Sequence, residues 1–261
     1  MRHTPAVEMA GQIAAHVEAL RREGGLLADT AEKTDPDAPI PTCPEWLLRD
    51  LVRHVGMVHR WATVYVADGV MAMLSPEQER ERLEPAPDDD GALVDWYRAG
   101  HAALVDALAG APADLQCWHF LPAPSPLAFW ARRQAHEAGI HRVDVQSASG
   151  EVTPFDPAFA VDGINEMVSG FVLRAARRLL TDPPKALLVR ATDTGDDWLV
   201  RMDRDAVQVA HEAGPADCTV RASACDLHLL LWNRRSADGL DVDGDRSVLA
   251  HWRAKAKVRW S

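Results

Sequence analysis

The 261-residue chain carries 28 Lys+Arg against 39 Asp+Glu, a formal net charge of −11, with 47% hydrophobic residues and four cysteines. That length supplies one large or two modest domains, each able to bury a core. The acidic balance speaks against a nucleic-acid partner, because the nearest thing to a basic stripe, Arg253, Lys255, Lys257 and Arg259, alternates with small and apolar residues.

No run approaches the roughly 18 apolar residues that a membrane span needs. Met1 to Gly11 lack the apolar centre of a secretion signal. Cys43, Cys117, Cys218 and Cys225 show neither disulfide-framework nor zinc-knuckle spacing. The expected setting is therefore the cytoplasm, without a membrane partner.

In chain order, Ile13, Val17, Leu20 and Leu27 recur at helical spacing and predict a helix over Val7–Ala31, weakened in its middle by Gly24 and Gly25. Four prolines between Asp35 and Pro44 predict an extended loop. Helical periodicity returns from Glu45 to about Met73, with Leu51, Val55, Val58, Ala62 and Tyr65 as one apolar stripe. The Pro- and acid-rich stretch Ser75–Asp90 reads as a solvated loop. A third helix is predicted over Leu93–Leu108, a fourth over Leu127–Ser147 ended by Gly150, and a fifth over Pro157–Leu180.

The pattern changes at Asp182-Pro183-Pro184, since paired prolines block helix continuation. Ala186–Ala191, Trp198–Met202, Val207–Ala210 and Cys218–Ala222 read as strands, and Ala224–Arg234 and Ser247–Lys257 as helices. The expected architecture is a four-helix bundle with an extra helix over residues 1–182, followed by a small α+β domain over residues 183–261.

The chemistry-bearing residues concentrate on the fourth helix, in Ala135-His136-Glu137-Ala138-Gly139-Ile140-His141-Arg142-Val143-Asp144. Glu137 and His141 are four apart and share a helical face, close enough to bind one cation. Asp144 continues that face, whereas His136 is rotated by roughly 100°. A catalytic divalent site takes three protein ligands and leaves one position open. The second helix offers His54 and His59 for the third; five residues apart, they flank the apolar stripe on opposite sides and do not bind one ion together.

The stretch Ile40-Pro41-Thr42-Cys43-Pro44-Glu45-Trp46, followed by Arg49-Asp50-Leu51-Val52-Arg53-His54 and His59-Arg60-Trp61, resembles the N-terminal signature of the mycothiol-dependent maleylpyruvate isomerase family, within the wider DinB-like metalloenzymes. His136 to Asp144 resembles its second signature and Asp162-Gly163-Ile164-Asn165-Glu166 its third. Ala191-Thr192-Asp193, Trp198, Asp226 to Arg234 and Gly244-Asp245 resemble its small C-terminal domain. Glu45 and Asn233 stand where the family more often has glycine.

The resemblance implies a DinB-like bundle with His54, Glu137 and His141 as metal ligands. Zinc is the first expectation, and nickel or another divalent ion suits the same donors. It implies mycothiol as thiol cofactor: a thiol entering the open metal position loses its proton, and the thiolate attacks an electrophile, as in cis–trans isomerisation of maleylpyruvate. The substrate is then a small electrophile carrying a carboxylate. Arg234 and Arg246 are the candidates to orient it, since a guanidinium pairs bidentately with carboxylates. Two alternatives use the same fold: a mycothiol S-transferase and a non-catalytic binder of metal or small ligand. A monomer is the expected state, with a dimer as the alternative.

Overall fold

The computed structural model describes residues 5–174 and 176–258, so Arg259 of the C-terminal basic alternation and the first four residues lie outside them. The chain divides into two compact units, Met1–Thr153 and Pro154–Ser261.

The first unit is a helical bundle of α1 (Pro5–Ala31), α2 (Leu48–Asp68), the short α3 (Pro76–Arg82), α4 (Leu93–Gly110) and α5 (Pro126–Ser149). Helices α1 and α2 each pack on both α4 and α5, which closes a four-helix ring. Helix α1 runs unbroken through Gly24 because the missing side chain admits a neighbour: a Cβ there would lie 2.2 Å from the His101 ring of α4.

Helix α5 is buried nearly all round from Leu127 to Gln146 apart from single positions, and it buries polar and charged side chains, Arg133, His136, Glu137, Arg142 and Asp144 among them, beside its apolar ones. Ser125 caps it by accepting from the Ala128 amide, Pro126 opens it, and Gly150 at φ 82° ends it. It is held to α1 by a fully buried ion pair, Arg142 with Glu23, at 2.8 Å.

Two expectations change here. The stretch Ser75–Asp90 is solvated but contains α3, because Ser75 accepts from the Gln78 amide and Pro76 takes the first helical position. The second helix starts at Leu48 and not Glu45, since Ile40 N donates to Trp46 O and Trp46 N to Cys43 O, folding residues 38–47 into a tight loop.

The second unit begins with α6 (Pro157–Glu166), continues through a π turn over Met167–Phe171 and a last helical turn, α7 (Val172–Arg174), and ends in a 3₁₀ turn over Ala176–Arg178. The predicted single helix to Leu180 is thus broken; Ser169-Gly170 between β-branched Val168 and Val172 weakens propagation. Five strands follow in sheet order β3-β2-β1-β4-β5: β1 (Lys185–Ala191), β2 (Asp197–Met202), β3 (Val207–Ala210), β4 (Cys218–Ala222) and β5 (Asp241–Gly244). Pairing is antiparallel except between β1 and β4. Across the sheet Leu187 aligns with Val200 and Cys218, and Val189 with Trp198 and Val220, all fully or almost fully buried. Helices α8 (Ala224–Leu231) and α9 (Arg246–Lys255) pack on β1 and β4.

The units meet in sequence at Thr153/Pro154 and not at Pro183. Helix α6, the extra helix, packs on α8: a Cβ on Gly163 would lie 2.2 Å from the His228 ring, and Asn165 Oδ1 accepts from Trp198 Nε1 at 2.7 Å. The architecture is otherwise the one expected, a helical bundle followed by an α+β part. None of the described helices is long and apolar enough to cross a membrane.

Candidate metal centre

Helices α2 and α5 run antiparallel and bring His54, Glu137 and His141 together. Glu137 Oε1 lies 3.2 Å from His141 Nε2 and 3.6 Å from His54 Nε2. One donor atom from each residue falls within 4.8 Å of the other two. Donors at about 2.0–2.1 Å from one tetrahedral ion stand about 3.3 Å apart, close to these separations.

The surroundings position each of these side chains. Arg133, one turn before Glu137, donates from Nη2 to Glu137 Oε2 at 2.9 Å. That leaves Oε1 turned to the imidazoles, buried and without a hydrogen bond of acceptable geometry. His141 Nδ1 lies 2.9 Å from Asp144 Oδ2, so Nδ1 carries a proton and, in the neutral ring, Nε2 offers its lone pair. Asp144, itself fully buried, also accepts from Thr42 Oγ1 at 2.6 Å and from Cys43 Sγ at 3.7 Å. The tight loop before α2 thereby reaches α5. It also sets the Trp46 ring edge-on against His54 at 4.9 Å.

Electrostatics agree with the geometry. Burial pushes the Glu137 carboxyl up, but His141, His54 and Arg133 outweigh it and hold the group well below the ordinary carboxylate range. Burial pushes His141 down, yet Glu137 and Asp144 raise it to about 9. The downward shift of Glu137 and the upward shift of His141 share a cause, the close approach of the carboxylate to the imidazole ring. A buried carboxylate oxygen lacking a donor, beside two imidazole nitrogens, is a donor set that fits a divalent ion.

The other named residues lie elsewhere. His59 is fully buried in the bundle core, its ring 5.2 Å from His101 and 5.3 Å from Tyr97, and neither ring nitrogen has a hydrogen-bond partner. His136 faces the His16 ring at 6.1 Å. Arg234 and Arg246 belong to the second unit; Arg234 is half-buried and donates to the Trp232 carbonyl, and Arg246 is exposed at the start of α9. Arg133 and Thr42 escape the sequence reading. Arg133 has a signal, its position four before Glu137, whereas Thr42 meets Asp144 only through the fold.

The same α2/α5 seam carries an aromatic cluster. Trp61, seven residues after His54, meets Trp130, seven before Glu137, at 5.3 Å. Tyr65, Trp118, Phe120 and Phe129 complete it.

The family model described as the mycothiol maleylpyruvate isomerase N-terminal domain matches residues 17–146, and that of the MDMPI C-terminal domain matches residues 158–251. Two solved structures share the fold. One is a mycothiol-dependent maleylpyruvate isomerase, 15% identical, with 88% of this chain and 92% of that one covered at TM-score 0.59. The other is a histidine-to-alanine mutant of a mycothiol-dependent maleylpyruvate isomerase, 14% identical at the same coverage and TM-score 0.59. No curated protein matches the chain in sequence.

Proposed function

The chain belongs to the mycothiol-dependent maleylpyruvate isomerase family, and on that footing we propose that it is a divalent-metal-dependent enzyme that turns the mycothiol thiolate on an electrophile, as in cis–trans isomerisation of maleylpyruvate. The observation that carries this reading is the convergence of His54 Nε2, His141 Nε2 and the undonated Glu137 Oε1 in one buried place.

His54, Glu137 and His141 would hold the ion. When bound, a divalent ion favours the ionised, nucleophilic form of a thiol beside it. The protein's own part is to prepare the ligands. Asp144 keeps the proton of His141 on Nδ1, Arg133 keeps Glu137 Oε2 occupied, and Thr42 fixes Asp144. In the isomerisation the thiolate adds to the activated double bond, the resulting single bond rotates, and expulsion of the same thiolate restores the double bond in the trans form, with no net change of atoms. Arg234 and Arg246 are the proposed carboxylate partners of such a substrate.

A second reading, S-transfer to an electrophile, draws on the aromatic cluster along the same seam. Both readings share one test. Protein loaded with zinc or nickel is incubated with mycothiol and either maleylpyruvate or a simple electrophile, and product mass is followed. Altered absorbance at unchanged mass supports isomerisation, and an adduct supports transfer. Failure of the metal-loaded protein to turn over any electrophile with any thiol overturns both. In parallel, His54→Ala and His141→Ala abolish metal binding; full occupancy in both variants overturns the ligand assignment.

A further inference from the structure

We infer that the α2/α5 seam next to the three donors receives an aromatic or otherwise flat apolar body, so that the electrophile carries such a group beside its reactive carbon. The inference rests on the thiol-using reading above and names its substrate class.

The two helices set the distance. Seven residues make two turns, about 10.5 Å of rise, and the antiparallel pairing that puts His54 against Glu137 puts Trp61 against Trp130 in the same register. The intervening turn of α2 carries Met57 and Val58, both half-buried, Met57 being packed against the bundle core, so the α2 residues at the i+3 and i+4 positions between the donors and the aromatic cluster are apolar. On α5 the intervening Arg133 is committed to Glu137.

The cluster has a packed base and an open rim. Tyr65, Phe129 and Trp130 are buried, while Trp61, Trp118 and Phe120 keep part of their rings exposed. Three of its polar atoms are engaged internally: Trp130 Nε1 donates to Trp118 O at 2.9 Å, Tyr65 Oη accepts from Leu74 N at 2.9 Å, and His119 Nδ1 pairs with Leu121 O at 2.9 Å. A hydroxyl-rich occupant would find these groups spent, whereas a flat apolar one gains edge and face contacts with the rim rings.

The test compares two S-conjugates of mycothiol, one bearing a 2,4-dinitrophenyl group and one a carboxymethyl group, by calorimetric titration of the metal-loaded protein. The dinitrophenyl conjugate is expected to bind about tenfold more tightly, and Trp61→Ala and Phe120→Ala each to reduce that advantage to about twofold. Circular dichroism reports whether each variant is folded; should Trp61→Ala fail to fold, the half-exposed Phe120 carries the comparison. Equal affinity of the two conjugates overturns the inference while leaving the thiol reading intact, as does an advantage retained in the folded variants. Failure of both conjugates and of free mycothiol to bind overturns the thiol reading, and this inference with it.

Discussion

Asp144 gives the most direct measure of how much the surroundings of the proposed metal ligands matter. Its carboxylate is fully buried and holds the His141 ring through a 2.9 Å contact to Nδ1. Partners of this kind, lying behind a metal-binding histidine, are worth about 10–100-fold in metal affinity. Asp144→Asn keeps the volume and one acceptor oxygen but loses the charge that makes Nε2 basic, so a weakening of about tenfold is expected. Asp144→Ala also strands Thr42 Oγ1 and the Nδ1 proton, and the expectation is about a hundredfold. In free energy these losses are about 1.4 and 2.7 kcal/mol. At saturating metal the same amounts disappear from the ligand-linked stability. At about 2–4 °C per kcal/mol for a unit of this size, the metal-induced rise in Tm shrinks by about 3–11 °C. The assay is competition with a chromogenic chelator for the Kd, with Tm recorded with and without metal so that any loss in the metal-free protein is subtracted. A Kd within twofold of the parent in both variants refutes the reasoning, because it would mean that the ring of His141 is oriented by something other than Asp144.

Glu23→Ala is expected to destabilise the protein by about 3–5 kcal/mol in urea unfolding, since it leaves the fully buried Arg142 uncompensated. Glu23→Ala with Arg142→Met should recover most of that loss, and a double-variant loss equal to the sum of the two single losses would show that the pair is not coupled. Burial pushes both His59 and His101 below the ordinary histidine range, His59 well below it. The native state therefore refuses protons that the unfolded chain takes up below about pH 6.5, so stability is lost as pH falls, approaching about 1.4 kcal/mol per unit for His59, with His101 adding in the same direction. The raised His141 has the opposite sign: its contribution is complete below the unfolded value and is lost as pH rises towards about 9, so it leaves the pH 5–6.5 window flat. His59→Leu should lower the slope of unfolding free energy in that window, and an unchanged slope counts against the assignment. Arg234→Ala and Arg246→Ala test the carboxylate-orienting role: KM for an anionic substrate rises about tenfold or more if a charge-assisted hydrogen bond is lost, and unchanged kinetics in both remove them from the site.

Much of the fold is readable locally because its elements are punctuated locally. Ser125-Pro126 and Gly150 bracket α5, and Val207–Ala210 and Cys218–Ala222 stand out as short apolar strands between turn residues. What escaped depends on partners distant in sequence. The strand β5, Asp241–Gly244, has one apolar residue and forms by pairing with β4, helped by Gly244, where a Cβ would lie 2.2 Å from the Asp217 carbonyl oxygen. In the sequence, the paired prolines Pro183-Pro184 mark a boundary because they end helices. Yet α6 joins the α+β unit through Gly163 and Asn165, contacts that no local pattern displays. Gly163 and Asn165 lie in the third signature segment, and the part these two play in the structure is packing within that unit.

At the candidate site, Glu137 and His141 are legible because both lie on one helix at a spacing that fixes their common face. The choice of His54 over His59 is not: both flank the same stripe, and only the packing shows that one turns to α5 and the other into the core beside His101. Charge then ties the site to the composition of the whole chain. Glu137 and Asp144 bring two negative charges and Arg133 one positive, so with neutral imidazoles the cluster is singly negative, and the proton on His141 makes it neutral. Replacing that proton by a divalent ion leaves the cluster singly positive inside a chain of net charge −11. Under the proposed function, that is the local condition an anionic thiolate needs in order to be held there, and metal loading and thiolate binding would be two readouts of the same three side chains.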